Sequence, residues 1–179
     1  MTNQEPVYLI FGAYGGIGGA LARRLELGGA QLALSGRDPA RLAPLATELG
    51  ALALPADASN FEAVEQAVEQ VMDAHGRIDG VASCVGSLLL KPAHLTKPQE
   101  WADTVSANLT SSFAVLRAAV QPMMRQKQGS VVLVSSAAAA IGLANHEAIA
   151  AAKGGIDALV RSAAATYGRS GVRVNAVAP

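Results

Sequence analysis

In NHEAIAAAKGG, Asn145 to Gly155, a lone lysine closes a run of small and apolar residues. Desolvated, a lysine has a lowered pKa and can hand over a proton near neutrality. Ile149 precedes Lys153 by four residues, and His146 precedes Lys153 by seven, so a helix puts all three on one face. Ile149 sits where a proton donor would be useful and has no titratable proton. His146 titrates near neutrality, and a place at the helix N-terminus would lower its pKa. At roughly 1.5 Å per residue it stands about 10 Å along the axis from Lys153, so a bound water would have to bridge them. The plainer reading of His146 is a loop histidine capping or packing near the helix start. Glu147 lies about 100° round the helix and reads as a favourable first-turn charge.

A second constellation is GAYGGIG, Gly12 to Gly18. It falls between an apolar strand and an amphipathic helix. Glycines there let the backbone turn and approach a ligand, and the helix behind aims free N–H groups at it. A diphosphate is the natural occupant, with Gly12, Tyr14, Gly15, Gly16, Ile17 and Gly18 as its cradle. The spacing is one residue longer than Gly-x-Gly-x-x-Gly. About twenty residues on, the next strand ends Ser35-Gly36-Arg37. An acid there favours NAD(H), and a guanidinium can grip a 2′-phosphate. Arg37 therefore favours NADP(H), with NAD(H) the less favoured choice. Asp38 reads as a helix N-cap ahead of Pro39.

These groups need a frame, and the chain has one. Its 179 residues are 51% hydrophobic and 16% charged, with 14 basic and 14 acidic side chains. That suits one well-buried α/β domain, residues 1–179, and offers no electrostatic footprint for nucleic acid or an anionic membrane. No apolar run reaches about 18 residues, so no membrane span is expected. One cysteine, Cys84, excludes an internal disulfide, and the N-terminus lacks a signal-peptide layout. A cytoplasmic protein is the expectation. Strands are predicted at Val7–Phe11, Gln31–Gly36, Ala51–Pro55, Asp79–Ser83, Ser130–Ser136 and Val172–Val177. Helices are predicted near Gly16–Leu27, after Asp38 to Gly50, at Asn60–His75, over roughly Gln99–Lys127 with Pro122 ending or kinking it, and at Glu147–Tyr167. Alternating elements of this kind build a Rossmann-type doubly wound parallel sheet in three α/β/α layers with right-handed crossovers.

Several of these segments together resemble the short-chain dehydrogenase/reductase family over the whole chain. GAYGGIG resembles its glycine motif, with Phe11 in the threonine position. Asp57 in PADAS resembles the aspartate that contacts the adenine ring, with Ala58 beside the cofactor. SCVG, Ser83 to Gly86, lies where relatives carry Asn-Asn-Ala-Gly, so Val85 and Gly86 fall beside the cofactor. Asn108 in SANLTSSF, Ser136 ending VVLVSS, and Lys153 resemble three of the four active-site residues. VRVNAVAP resembles the segment beside the nicotinamide, which ends here at Pro179. The resemblance implies that Lys153 holds the nicotinamide ribose, Ser136 steadies the substrate oxygen, and Asn108 orders a water toward the lysine. It also implies a tyrosine at position 149, where Ile149 stands. His146, or Lys153 with Ser136, are the candidates for replacing its proton; Tyr14 is a weaker one. No metal is implied. The family usually runs on past Pro179 into a further strand and a lid, so a truncated chain is expected. The two long helices, about 99–127 and 147–168, form the interface of dimers or tetramers in relatives. The apolar SLLLKPAHL hints at a nonpolar small-molecule substrate. Two functions follow: an NADP(H)-dependent oxidoreductase acting on a carbonyl, alcohol or activated double bond, or an NADP(H)-binding protein with little turnover.

Overall fold

The computed structural model describes residues 5–179. Six strands form one parallel sheet in the order β3-β2-β1-β4-β5-β6. They are β1 (Val7–Phe11), β2 (Gln31–Gly36), β3 (Leu52–Pro55), β4 (Gly80–Ser83), β5 (Gly129–Val134) and β6 (Val172–Val177). The order reverses between β1 and β4, where sequential windings leave in opposite directions, and a crevice opens at the carboxyl ends there. The helices are α1 (Gly16–Glu26), α2 (Pro39–Glu48), α3 (Phe61–His75), α4 (Pro98–Val105), α5 (Ser111–Gln126), α6 (Ala138–Ile141) and α7 (Glu147–Tyr167).

Alternation along β1 divides the interior in two. Leu9 and Phe11 face a core with Val64 and Val71 of α3, Val115 of α5 and Ile156 of α7. Ile10 faces the smaller core with Leu34 and with Leu42 of α2. Both faces of the central strands are thus covered, which is why VYLIF reads as a continuous apolar run. The predicted apolar stripe of α3, Val64, Ala67, Val68 and Val71, is buried throughout. Local caps act as the sequence implied. Asp38 Oδ1 accepts from the N–H groups of Ala40 at 2.9 Å and Arg41 at 3.3 Å, and Asn60 Oδ1 accepts from Ala63 at 3.1 Å. Both orders of residue satisfy donors that a helix start leaves open.

Three local expectations are corrected. The helix predicted over 99–127 is two α-helices joined by a π-helical turn, Ser106–Thr110. Pro122 does not end it; α5 runs on to Gln126, with Pro122 buried. The break comes sixteen residues earlier because side chains there satisfy the carbonyls that a wider turn releases. Asn108 Nδ2 donates to Thr104 O at 2.9 Å, and the Ser111 and Ser112 hydroxyls donate to Ala107 O and Asn108 O at 2.8 and 2.7 Å. The fifth strand stops at Val134, so Ser135 and Ser136 lie in the turn beyond it. No helix among the described residues is long and apolar enough to cross a membrane.

Ile156 is fully buried where α7 meets the main core. Ile156→Ala is expected to cost about 2–5 kcal/mol of unfolding free energy, measured by urea titration. A loss below about 1 kcal/mol contradicts that packing.

Candidate active site

At the carboxyl edge, the turn after β1 and the turn after β4 touch. Gly12 has φ +74°, and a β-carbon there would sit 2.9 Å from both the carbonyl carbon and the oxygen of Cys84. A β-carbon on Gly18 would lie 2.3 Å from Gly12 O. Glycine is needed at both positions: the first for its positive φ and the close turn, the second for the loop folding back on the helix. Gly15 N–H is spent on Gly12 O at 3.1 Å, while Gly15, Gly16 and Ile17 are exposed at the helix start. Nothing lies within 4 Å of a β-carbon built on Gly16, so it leaves open space there. Phe11, Gly12, Tyr14, Gly36, Arg37, Ala58, Val85 and Gly86 line one cleft. The sequence-predicted residues from four separate strand ends therefore converge on it.

The end of that cleft under β2 is polar and open. Arg37 is exposed. Asp57 is exposed too; its Oδ1 accepts from Ser59 N–H at 2.9 Å and from the Ser59 hydroxyl at 2.7 Å. Partial burial pushes the Asp57 carboxyl up, but the two Ser59 donors and the positive charge of Arg37 outweigh it and hold it below the usual aspartate range. Tyr14 does not point along the glycine loop. Its ring covers Gly36, where a β-carbon would come within 2.4 Å of it, and its hydroxyl accepts from Asp38 N–H at 3.3 Å.

Behind Gly86, at the edge of the cleft, lies a buried titratable group. Lys153 is only 6% exposed. Its Nζ donates to Val134 O at 2.6 Å, and the Ser135 hydroxyl donates to Lys153 O at 3.1 Å, so α7 is tied to the end of β5 at two points. Burial lowers the Lys153 pKa, and ionised Cys84 opposes that; burial likewise raises the Cys84 thiol, against the pull of Lys153. Asn108 is fully buried on the π-helical turn. Its Oδ1 accepts from Ser87 N–H at 3.2 Å and its Nδ2 donates to the Ser87 hydroxyl at 3.1 Å. Gly86 fits between these groups: a β-carbon there would meet Asn108 Oδ1 at 2.9 Å and Lys153 Nζ at 3.5 Å. Gly86, Asn108 and Lys153 are therefore neighbours, although 67 residues separate the first from the last.

Ser136 lies one turn past β5, where its Oγ accepts from Ala138 N–H at 3.3 Å and starts α6. Pro179 closes on the same turn, its carbonyl accepting from Ala137 N–H at 2.9 Å. Ile149 is 4% exposed, an apolar wall on the face of α7 that carries Lys153. His146 is the N-cap residue of α7, with Nδ1 2.8 Å from Ala144 O in the preceding loop. The ring is tied into that loop, two helical turns from Lys153. Among the described residues no three His, Cys, Asp or Glu side chains gather as a metal site.

Sequence reasoning missed Ser87, Ser135, the Val134 carbonyl and Arg41, whose guanidinium stacks 4.4 Å above the Tyr14 ring. The doubled serine at 135–136 was a usable signal, since adjacent residues after a strand point to opposite faces. The others are contacts between distant segments and leave no local pattern.

Comparison with known proteins agrees with this geometry. A family model described as enoyl-(acyl carrier protein) reductase matches residues 12–179. An uncharacterized oxidoreductase of Mycobacterium tuberculosis is 36% identical over 181 residues, covering 98% of this chain and 67% of the relative. A Xanthobacter autotrophicus protein named inactive 2-(S)-hydroxypropyl-CoM dehydrogenase 2 is 32% identical over 161 residues, 89% of this chain and 70% of that one. Among solved structures, a short-chain type dehydrogenase/reductase from Mycobacterium ulcerans superposes with a TM-score of 0.94 at 34% identity, covering 100% and 68% of the two chains. A metagenomic short-chain oxidoreductase in complex with NADP gives 0.91 at 33%, covering 97% and 81%. An NAD+-bound xylitol dehydrogenase gives 0.94 at 31%, covering 100% and 71%.

The buried lysine has a thermodynamic signature. Unfolded, Lys153 titrates near the ordinary value of about 10.4; folded, burial sets it lower. Between those values the unfolded chain binds more protons, so the term favours folding increasingly as pH rises. The unfolding free energy of the wild type minus that of Lys153→Met is expected to climb with pH up to about 10.4 and then level. Denaturant titrations at several pH values check this, and a flat difference contradicts a desolvated cation.

Proposed function

The chain belongs to the short-chain dehydrogenase/reductase family of oxidoreductases, and on that premise we propose that it transfers hydride between NADP(H) and a carbonyl, alcohol or activated double bond of a small nonpolar molecule, without a tyrosine acid. The observation that carries this reading is the meeting of Asn108 and Lys153 at Gly86, which lines the same cleft as Gly12, Tyr14 and Gly15. A dinucleotide fits that cleft on the structure's own terms, because β-carbons at Gly12, Gly18 or Gly86 would crowd its walls. When bound, the dinucleotide supplies or accepts the hydride.

In this reading Gly12, Gly15, Gly16, Ile17 and Gly18 hold the diphosphate at the start of α1. Asp57 and Ala58 border the adenine, and Val85, Gly86 and Pro179 border the nicotinamide. Lys153 holds the adjoining ribose by its ammonium, Ser136 donates to the substrate oxygen, and Asn108 keeps the Gly86–Ser87 turn in place through its two bonds to Ser87. The preference for NADP(H) over NAD(H) rests on two charges. Asp38 Oδ1 is engaged by two backbone N–H groups of α2, and Arg37 is exposed at the strand end. The NADP complex of the metagenomic relative supports that choice, while the NAD+-bound xylitol dehydrogenase shows that the fold takes either.

With Ile149 in the wall, the proton comes from Lys153, whose lowered pKa makes it a usable acid, acting beside Ser136. His146 serves only through bridging water, given its bond to Ala144 O. Two long elements, α4–α5 and α7, offer the exposed Trp101, Phe113 and Met124 and a series of alanines to a second copy, in a homodimer or homotetramer. A second reading, an NADP(H)-binding protein with little turnover, is favoured by Ile149 itself and by the relative named inactive.

A panel of ketones and enones with NADPH, followed by loss of reduced-nucleotide absorbance, separates the two. The first reading expects measurable turnover, abolished in Lys153→Ala, and a rise on the order of 10²–10⁴ in Ile149→Tyr, the usual worth of a positioned acid. A silent wild type that binds NADPH and gains turnover only as Ile149→Tyr favours the second. Arg37→Glu is expected to shift preference toward NADH by tenfold or more, since it replaces a charge-assisted phosphate contact by repulsion. An unchanged NADPH/NADH ratio of binding constants contradicts the assignment of Arg37.

A further inference from the structure

The charged side chains of α3 and α5 are sorted by sign. On α3, Glu65, Glu69 and Asp73 recur every four residues and form one acidic wall. On α5, Arg117, Gln121 and Arg125 recur at the same spacing and form a wall of basic and neutral groups. Both helices cross between parallel strands and pack on the same core, so they run in the same direction and face each other rung by rung. The first rung is closed: the Arg117 guanidinium, over the Phe61 ring, bonds the Glu65 carboxylate. The other two rungs are open. Glu69, Asp73 and Arg125 are exposed, and among the described residues none of them forms an ion pair.

Between the walls lies a groove of about 640 Å³, with the buried Val68, Ala118 and Pro122 among its lining. A partner of one sign would be drawn to one wall and repelled by the other. The groove suits a surface that carries both stripes in the opposite order, and a second copy of this chain presents one. A twofold axis through the groove at the level of Glu69 and Gln121 reverses both helices and exchanges the walls. Glu65 then faces Arg125 of the second copy, and Asp73 faces Arg117 of the second copy. At each end of the groove four groups alternate in sign, and the bond between Glu65 and Arg117 is kept. The chain has 14 basic and 14 acidic side chains, so no net charge opposes self-association.

We propose that the α3–α5 groove is an isologous interface, in which the acidic wall of one copy meets the basic wall of another. It is bounded by α3 and is therefore distinct from the surface formed by α4–α5 and α7. It holds whether or not the protein turns over a substrate, since none of its residues lines the cleft at Gly12 and Gly86. Opposed stripes of this kind fix the register of the two copies and exclude the parallel arrangement, which would set like charges face to face.

The test is sedimentation velocity on the whole protein. The wild type is expected to self-associate, with a dissociation constant that rises as salt goes from about 0.01 M to about 1 M and the screening length falls from about 30 to about 3 Å. One variant reverses the acidic wall, Glu65→Lys with Asp73→Lys; the other reverses the basic wall, Arg117→Glu with Arg125→Glu. Each alone sets like charges across the axis and is expected to weaken one association step by tenfold or more. Mixed in equal amounts, the two variants have opposite charges at every cross-groove position again, and the step is expected to return. Circular dichroism checks that each variant is folded. If one is not, Asp73→Asn with Arg125→Gln takes its place, removing charges that have no partner within one copy, and the same loss is expected at smaller size. A monomeric wild type overturns the proposal. So does association that salt and both reversals leave unchanged, which places the contact on another surface. Losses that mixing does not restore overturn it as well, because general damage to the helices gives that result.

Discussion

Two backbone turns touch at the carboxyl edge of the sheet because Gly12 has no side chain. Any other residue there would place a β-carbon 2.9 Å from the Cys84 carbonyl while holding a φ of +74°. Moving the β1 turn away to relieve that contact would open the crevice between β1 and β4. It would also move Gly12 O, on which Gly15 N–H and the close packing of Gly18 both depend. The first helix would then start at another angle, and Tyr14 would leave Gly36. Contact between two turns thus sets the cleft floor, the direction of α1 and the wall at the β2 end together.

At the opposite end the governing cost is desolvation. A lysine ammonium removed from water is unfavourable unless a strong acceptor replaces its hydration. Lys153 has one such acceptor in the Val134 carbonyl, with its pKa lowered accordingly. The remaining donors face a site bordered by Gly86 and Cys84. A cation kept at this expense where a methionine would pack more easily points to a group with a task, because structural needs alone are met by apolar neighbours such as Ile149 and Ile156. The π-helical turn carries a related cost. It releases backbone carbonyls from the α-helical ladder, and Ser111, Ser112 and Asn108 supply the donors that compensate. In exchange, Asn108 is displaced from the straight line of the helix toward Ser87.

The two ends of the cleft therefore differ physically. The β2 end is wet and charged, with Arg37, Arg41 and Asp57 able to exchange partners with solvent. The α7 end is dry, with Asn108 and Lys153 held by backbone groups. Ile149, which has no titratable proton, is buried at the dry end on the helix that carries Lys153.

What the sequence determined by itself was local. Apolar runs, the Asp38-Pro39 and Asn60 caps, and the glycine spacing of 12–18 specify strands, helices and one phosphate-type turn, because each depends on neighbours within about four residues. The span of α7, Glu147–Tyr167, was legible for the same reason, as was the shared face of Ile149 and Lys153. The interruption at Ser106–Thr110 was not legible, since whether a helix widens depends on donors that reach back to its carbonyls and on what the turn packs against. Pro122 was a misleading signal, because its missing N–H removes one bond that surrounding burial can replace. Only the tertiary structure decided that Lys153 ends against Val134 O, that Ser87 holds both polar atoms of Asn108, that His146 is turned into its own loop, and that Tyr14 lies under Arg41. Each is a contact between segments far apart in the chain. Such contacts are set by sheet order and helix packing, which no window of neighbouring residues encodes.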